Sequence, residues 1–282
     1  MKNNIKTSLV LGVIILGISV MGCKEDAKVE ATQPTNSYYD LQSVLSNSWS
    51  SVSDASVFVQ HLGGMSKDEY KINGYFYSSQ QNKVCSNRVD VGTVTVGGFQ
   101  LLKENATTNC LNYELDNANT FDNLSALFGS SIQASLSGSS GYSNAAYSFN
   151  SIQKLNISSL LPTQSIAGFN EMGVISKNDG YNVTWNADPS NQSGNVVVLL
   201  SYSDFLSKQI DPSLTASKFS HHIITADDGS YTISQQDLAT FPINGYVELI
   251  VGRGNITQWN NSGKVIDLIS ISRDNQDFVL IP

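Results

Sequence analysis

His61, His221 and His222 are the only imidazoles in this 282-residue chain, and their spacing restricts what they can do together. Neighbouring side chains on a strand point to opposite faces, so His221 and His222 cannot readily converge on one metal ion. Neither an H-E-x-x-H motif nor an i,i+4 histidine pair is present, and no metal site is expected. There is no G-x-S-x-G elbow and no G-x-x-x-x-G-K-[ST] loop, while Gly138 to Gly141 (GSSG) has the composition of a turn. No catalytic residue and no cofactor is therefore expected.

Carboxylates offer a second route, because glycosidases need only two. Glu104, Glu114, Asp116, Asp122, Asp227 and Asp228 are the candidates, but their spacing pairs none of them in space. Asp227-Asp228-Gly229 reads as a turn, since Asp and Gly satisfy turn backbone and φ requirements. Asp116 to Asn123 (DNANTFDN) has the look of a calcium loop without the glycine and terminal glutamate of an EF-hand. Aromatic residues offer a third route. Tyr75, Phe76 and Tyr77, or Tyr142 and Tyr147, suit either a sugar-stacking platform or a core, and strand aromatics favour the core.

Cys85 and Cys110 are separated by 24 residues, a loop that a disulfide in an oxidising compartment can close. A reactive thiol or a metal site is the alternative, but neither cysteine has a C-x-x-C partner or a nearby histidine. The third cysteine, Cys23, follows a different logic. Lys2 and Lys6 precede a roughly 12-residue apolar run, Leu9 to Val20, the layout of a removable secretory signal over residues 1–22. The run is short of the ~20 residues a spanning helix needs.

Val20-Met21-Gly22-Cys23 resembles the lipobox of bacterial lipoproteins, with Met21 a departure at the motif's loosest position. The resemblance implies that Cys23 is lipidated and becomes the mature N-terminus. Lys24-Glu25-Asp26 is similar to the export signal of Bacteroidota surface lipoproteins, which implies an outer-membrane anchor and display at the cell surface. Residues 23–50 then read as a tether, having no apolar period with which to offset ordering entropy. The formal charge of −8 becomes about −10 once Lys2 and Lys6 are removed. Such a chain lacks the clustered Lys and Arg of a nucleic-acid footprint.

The elements that must position these residues read as strands. Ser56 to Leu62, Lys71 to Ser78, Gly92 to Val96 and Ser131 to Ser137 alternate with period two, and Gly97-Gly98 marks a hairpin. Asn119 to Phe128 suits a short helix or a loop. After a boundary at Ser158 to Gln164, a second set follows: GYNVTWN, NVVVLLSY, HHIITA, SYTIS, GYVELIVGRG and KVIDLISIS. Gln235 to Pro242 suits one or two helical turns, and FVLIP follows a short polar turn.

The expected fold is all-β, with two β-sandwich-like domains at 51–162 and 163–282. VTWN, the Val-rich strand, DDGSYTISQQDLATFP and VGRGN make the second half similar to the immunoglobulin-like C-terminal regions of uncharacterised exported bacterial proteins. That resemblance implies a fold and no catalytic residues. The expected function is a non-enzymatic binding or adhesion module, held to the membrane by its lipid, with a glycan or protein ligand. A glycan-binding accessory of nutrient uptake is its specific form. A hydrolase with dispersed carboxylates and a structural envelope component are the alternatives. Replacing Lys24, Glu25 and Asp26 with alanine is expected to protect the protein from protease shaving of intact cells. Unchanged shaving would remove the export reading.

Overall fold

Side chains that alternate between apolar and polar make this chain a builder of half-buried strands. The computed structural model describes residues 53–64, 68–106, 110–115, 121–166, 169–215 and 219–282. Cys23, Lys24, Glu25 and Asp26 lie outside them. The first eight strands are β1 (Ala55–Leu62), β2 (Glu69–Phe76), β3 (Val94–Val96), β4 (Phe99–Gln100), β5 (Leu102–Ala106), β6 (Cys110–Glu114), β7 (Ser131–Leu136) and β8 (Ala145–Asn150). They are followed by β9 (Thr163–Ile166), β10 (Phe169–Ser176), β11 (Tyr181–Thr184), β12 (Asn195–Tyr202), β13 (Ser220–Ala226), β14 (Ser230–Ile233), β15 (Tyr246–Asn261) and β16 (Lys264–Ile281). Two short α-helices, α1 (Phe121–Ser125) and α2 (Asp204–Ile210), and a 3-10 turn at Cys85–Asn87 complete the elements among the described residues. The fold is all-β and sandwich-like, with several sheets and no barrel. The expected hairpin at Gly97-Gly98 joins β3 to β4, with φ of 57° and 85°, the positive values that primed turns need. Cys85 and Cys110 stand at disulfide distance, their Cα atoms 4.6 Å apart.

The largest sheet runs β13-β12-β15-β16-β1-β2-β6-β5, and β10 with β9 joins it alongside β16. Its spine is the β15–β16 hairpin, paired without a register shift from Tyr246↔Val279 to Asn261↔Lys264. Unbroken register keeps Val247, Leu249, Val251, Arg253, Asn255, Thr257 and Trp259 on one face. Both small sheets cover that face. The sheet β4-β3-β7-β8 packs Val94, Val96, Ile132, Leu136 and Phe149 against Val57, Val59, Ile72, Leu268 and Trp259. The pair β11-β14 packs Val183 and Ile233 against Val198, Leu200, Val247, Leu249 and Phe278.

Two apolar cores thus sit side by side on one sheet. The division expected at 162/163 leaves no break in the strand pairing, because β1 pairs in parallel with β16 from Ala55↔Ile266 to Leu62↔Arg273. The cores do separate near that division. Apart from the tip of the hairpin, the first draws on residues before 150, and the second on residues from Leu155 onward. The polar turn expected before FVLIP is not a turn. β16 continues through Arg273 to Asp277, and its polar side chains have partners across the sheet face.

Those partners explain how the chain passes between the cores. Residues 151–159 run irregularly over the covered face, where backbone amides need replacements for water. Alternate residues of β16 supply them. Ser270 Oγ accepts from Ile152 N at 3.2 Å, Ser272 Oγ from Leu155 N at 2.7 Å, and Asp274 Oδ2 from Ile157 N at 2.7 Å. Gln276 Nε2 donates to Ser159 O at 2.7 Å. Ile152 and Leu155 are themselves fully buried, so the segment both fills the gap and is held in it. Asp274→Ala leaves the Ile157 amide without its acceptor and is expected to cost about 1–3 kcal/mol in denaturant unfolding. Ser148→Ala, on an exposed strand position, should stay within about 0.5 kcal/mol. Equal midpoints for the two variants would count against the ladder.

Candidate functional site

On the face of the sheet opposite the two cores, four strands align a polar row. Ser220 pairs with Ser201, Ser201 with Glu248, and Glu248 with Asp277. Strand alternation dictates this placement: Val247 and Phe278, the next residues along, point into the core. The row ends beside α2. This helix starts where Ser203 Oγ accepts from Leu206 N at 3.3 Å, and Ser207 Oγ ties it to the sheet by accepting from Tyr246 N at 2.8 Å. Between helix and row lies an open cleft of about 570 Å³, lined by Ser201, Ser203, Phe205, Tyr246, Glu248 and Asp277 among others. Phe205 stands at its rim and is 72% exposed.

Two carboxylates face each other at the floor, an arrangement that is unfavourable unless a partner offsets it. Asn275 Nδ2 donates to Glu248 Oε1 at 3.3 Å. Burial pushes the Asp277 carboxyl above its ordinary value, against the opposing effect of the Tyr246 hydroxyl bonded to it. Burial, then the bond to Asp277 and the charges of Asp277 and Glu248, push the Tyr246 hydroxyl up as well. Asp204, beside the rim, pairs with Lys208 one helical turn on, at 2.8 Å. Hydroxyls, carboxylates and one exposed ring are the groups that bind polyhydroxylated ligands.

None of the expected carboxylates that are described lines this cleft. Asp227 is instead buried beside Arg253, whose Nη1 donates to its Oδ2 at 3.0 Å, while Asp188 lies 4.0 Å from the same guanidinium. Trp185 Nε1 and Asn191 Nδ2 each donate to Asp227 at 2.9 Å, so this charge cluster is closed from solvent and structural. Asp228 accepts from Ser230 N in the expected turn. Glu104 sits on β5 and Glu114 on β6, where Asn112 donates to it at 3.3 Å. Asp116 lies outside the described residues, and the Asp122 side chain is not among those described.

The tyrosines also separate. Tyr142 and Tyr77 are buried, and the Tyr142 hydroxyl contacts the Asp54 and Tyr77 carbonyls, each at 3.0 Å. Tyr75 lies under the Arg88 guanidinium, 4.5 Å from its centroid, and the same guanidinium stands 5.7 Å from the Tyr77 ring. Tyr147 alone is appreciably exposed, stacked on buried Trp259 at 6.1 Å. They form no common platform. Glu248 and Asp277 escaped the sequence reading, although a lone acid in YVELIV and another before FVLI are visible signals.

Folding also brings together Ser272, His61 and Asp68, the three groups of an acyl-transfer triad. His61 Nδ1 lies 2.7 Å from Ser272 Oγ, and its Nε2 lies 3.4 Å from Asp68 Oδ1. Ser272 and His61 are fully buried, and Ser272 Oγ already accepts from Leu155 N. No substrate can reach that hydroxyl. Ser272 Oγ has acceptor capacity for both Leu155 N and a ring N–H, and its bond with His61 Nδ1 runs in the direction the ring's tautomer sets. Lys154 pairs with the other Asp68 oxygen. His221 and His222 point to opposite faces as expected, pairing with Leu200 and Leu199, and His221 Nε2 lies 3.2 Å from Asp237. Among the described residues no group of acids, histidines and cysteines can hold a metal ion.

No protein-family model, no curated protein and no solved structure matches this chain.

Burial holds His61 below its ordinary value of 6.5; Asp68 and Asp274 favour its charged form, and Lys154 opposes it. An unfolded chain takes up that proton near pH 6.5 while the folded one resists, so stability falls as pH drops below about 6.5. Thermal melts of His61→Gln between pH 7.5 and 5.5 are expected to show a shallower decline than the parent, whatever the absolute Tm. Parallel pH slopes would count against this role.

Proposed function

We propose that this protein is a lipid-anchored, surface-displayed binding module, non-enzymatic, whose cleft between α2 and the Ser201–Glu248–Asp277 row holds part of a glycan. One observation carries the reading: an exposed phenylalanine stands over a floor of hydroxyls and carboxylates in an open groove. A sugar ring has an apolar face for the aromatic ring and equatorial hydroxyls for acceptors below, so both halves of the site find a partner. The floor rests on a continuous hairpin, which holds its donors and acceptors in place before the ligand arrives. The Cys23 lipid and the Lys24-Glu25-Asp26 signal would set the cleft at the outer surface, where such ligands occur.

A hydrolase is the second reading, favoured by Glu248 and Asp277 lying directly opposite with the Asp277 carboxyl pushed up by burial. A carboxyl that keeps its proton beside one that can act as base or nucleophile is the pairing glycoside cleavage uses. A glycan array separates the readings. Saturable binding without product, weakened about tenfold by Phe205→Ala (roughly 1.4 kcal/mol), supports the binding module. Reducing-sugar release that Asp277→Asn abolishes supports the hydrolase. Binding that Phe205→Ala and Asp277→Asn both leave unchanged would move the site elsewhere on the surface.

A further inference from the structure

A third apolar cluster lies on the sheet face that bears the cleft. Val197, Ile269 and Ile271 are 1–2% exposed and Phe58 is 8% exposed, with Ile256 and Tyr75 packed against them. Leu199 and Ile250 are buried on the same side by strand alternation, and so are Gly252 and Gly254 along β15. Each core draws its residues from two facing sheets, but every member of this cluster belongs to the one large sheet. Neighbours in the same sheet do not by themselves take side chains that stand off its surface out of water. A layer laid over them does.

We infer that this layer is a segment of the same chain, residues 37–50, docked across the face. The chain enters the sheet at Ser53, itself fully buried, and Phe58 of the cluster follows on the first strand. The other stretches outside the described residues are two to five residues long, too short to cover a sheet. The segment has the pattern such a role needs. Taken whole, residues 23–50 have no apolar period, but Tyr38, Leu41, Leu45 and Trp49 recur at i, i+3, i+7 and i+11, one side of a helix. Asp40, Ser43 and Asn47 fall on the opposite side. Pro34 and the capping pattern Ser37-x-x-Asp40 mark a start for that helix.

Size and shape agree as well. The buried band runs from Leu199 on β12 to Phe58 on β1, three strand spacings and six residues of offset, or about 25 Å. Helical residues from Tyr38 to Trp49 span about 18 Å, and Ser50 to Val52 supply the rest. Gly252 and Gly254 leave a trough along the middle of the band, into which a ridge of larger side chains fits. On the lipid-anchor reading, the free leash then shortens to residues 24–36, at most about 45 Å.

Hydrogen exchange of the full-length protein in detergent tests the inference. Amides of residues 39–49 are expected to exchange at least about a hundredfold more slowly than those of residues 24–35. Leu41→Asp/Leu45→Asp should abolish that protection, and Ser43→Asp/Asn47→Asp should retain it. Gly252→Leu/Gly254→Leu fills the trough and should release the segment without touching its sequence. Unchanged protection of β7 and β14, which lie over the opposite face, reports an intact fold. Free exchange of residues 39–49 in the parent would overturn the inference; a dimer on sedimentation would then give the face to a second copy, and a monomer to a different chain. Protection that survives Gly252→Leu/Gly254→Leu would seat the segment elsewhere and overturn it too.

Discussion

A stretch of irregular backbone laid across a buried sheet face must find a partner for every amide it takes out of water. Residues 151–159 meet much of that demand through one strand: Ser270, Ser272 and Asp274 accept from the Ile152, Leu155 and Ile157 amides, and Gln276 donates to the Ser159 carbonyl, while Asp188 and Asn186 accept from the Gln153 and Asn156 amides. Much else in the fold depends on this match. It carries the chain from the first core to the second without leaving the sheet, and it gives β16 a reason to remain a strand through a polar run. The interaction is asymmetric in energy. Each bond adds little net stability, but an amide left unmatched there costs its full desolvation.

The same polar belt holds a cluster of buried charged groups. Arg253 lies opposite Ser272 on the hairpin, with Asp227 and Asp188 closing around it, while His61 meets Ser272 from β1. On either side of the belt, apolar side chains dominate the two cores. Burying ions between cores is a weak source of stability but a strong source of geometry, because few alternative arrangements satisfy them all. His61 illustrates why contact alone does not make an active site. Its neighbours have triad chemistry, yet the Ser272 hydroxyl is committed to the Leu155 amide and sealed from solvent. The accessible chemistry lies on the other face, where the hairpin holds Glu248 and Asp277 level with each other.

Local pattern made much of the architecture legible. Alternation identified β1, β3, β7, β11 and β14, a continuous apolar run identified β12, and Gly97-Gly98 marked its hairpin because primed turns need positive φ. Cys85 and Cys110 could be paired by elimination. The polar run before FVLIP misled for a physical reason: composition reports an average environment, whereas Asp274 and Gln276 answer to a segment more than a hundred residues away. The tyrosines misled similarly, since Tyr77 and Tyr142 are buried and Tyr75 and Tyr147 end on different surfaces.

By itself the sequence determined the all-β class, the positions of most strands, and the expectation of a lipidated, exported protein, because each depends on neighbours within a few residues. Which strands lie side by side was decided only in three dimensions. Parallel pairing of β1 with β16 joins the two expected halves in one sheet, and no local propensity encodes a contact between Ala55 and Ile266. The cleft belongs to that second class. Glu248 and Asp277 are 29 residues apart in the chain, and only the unshifted register of a long hairpin sets them face to face.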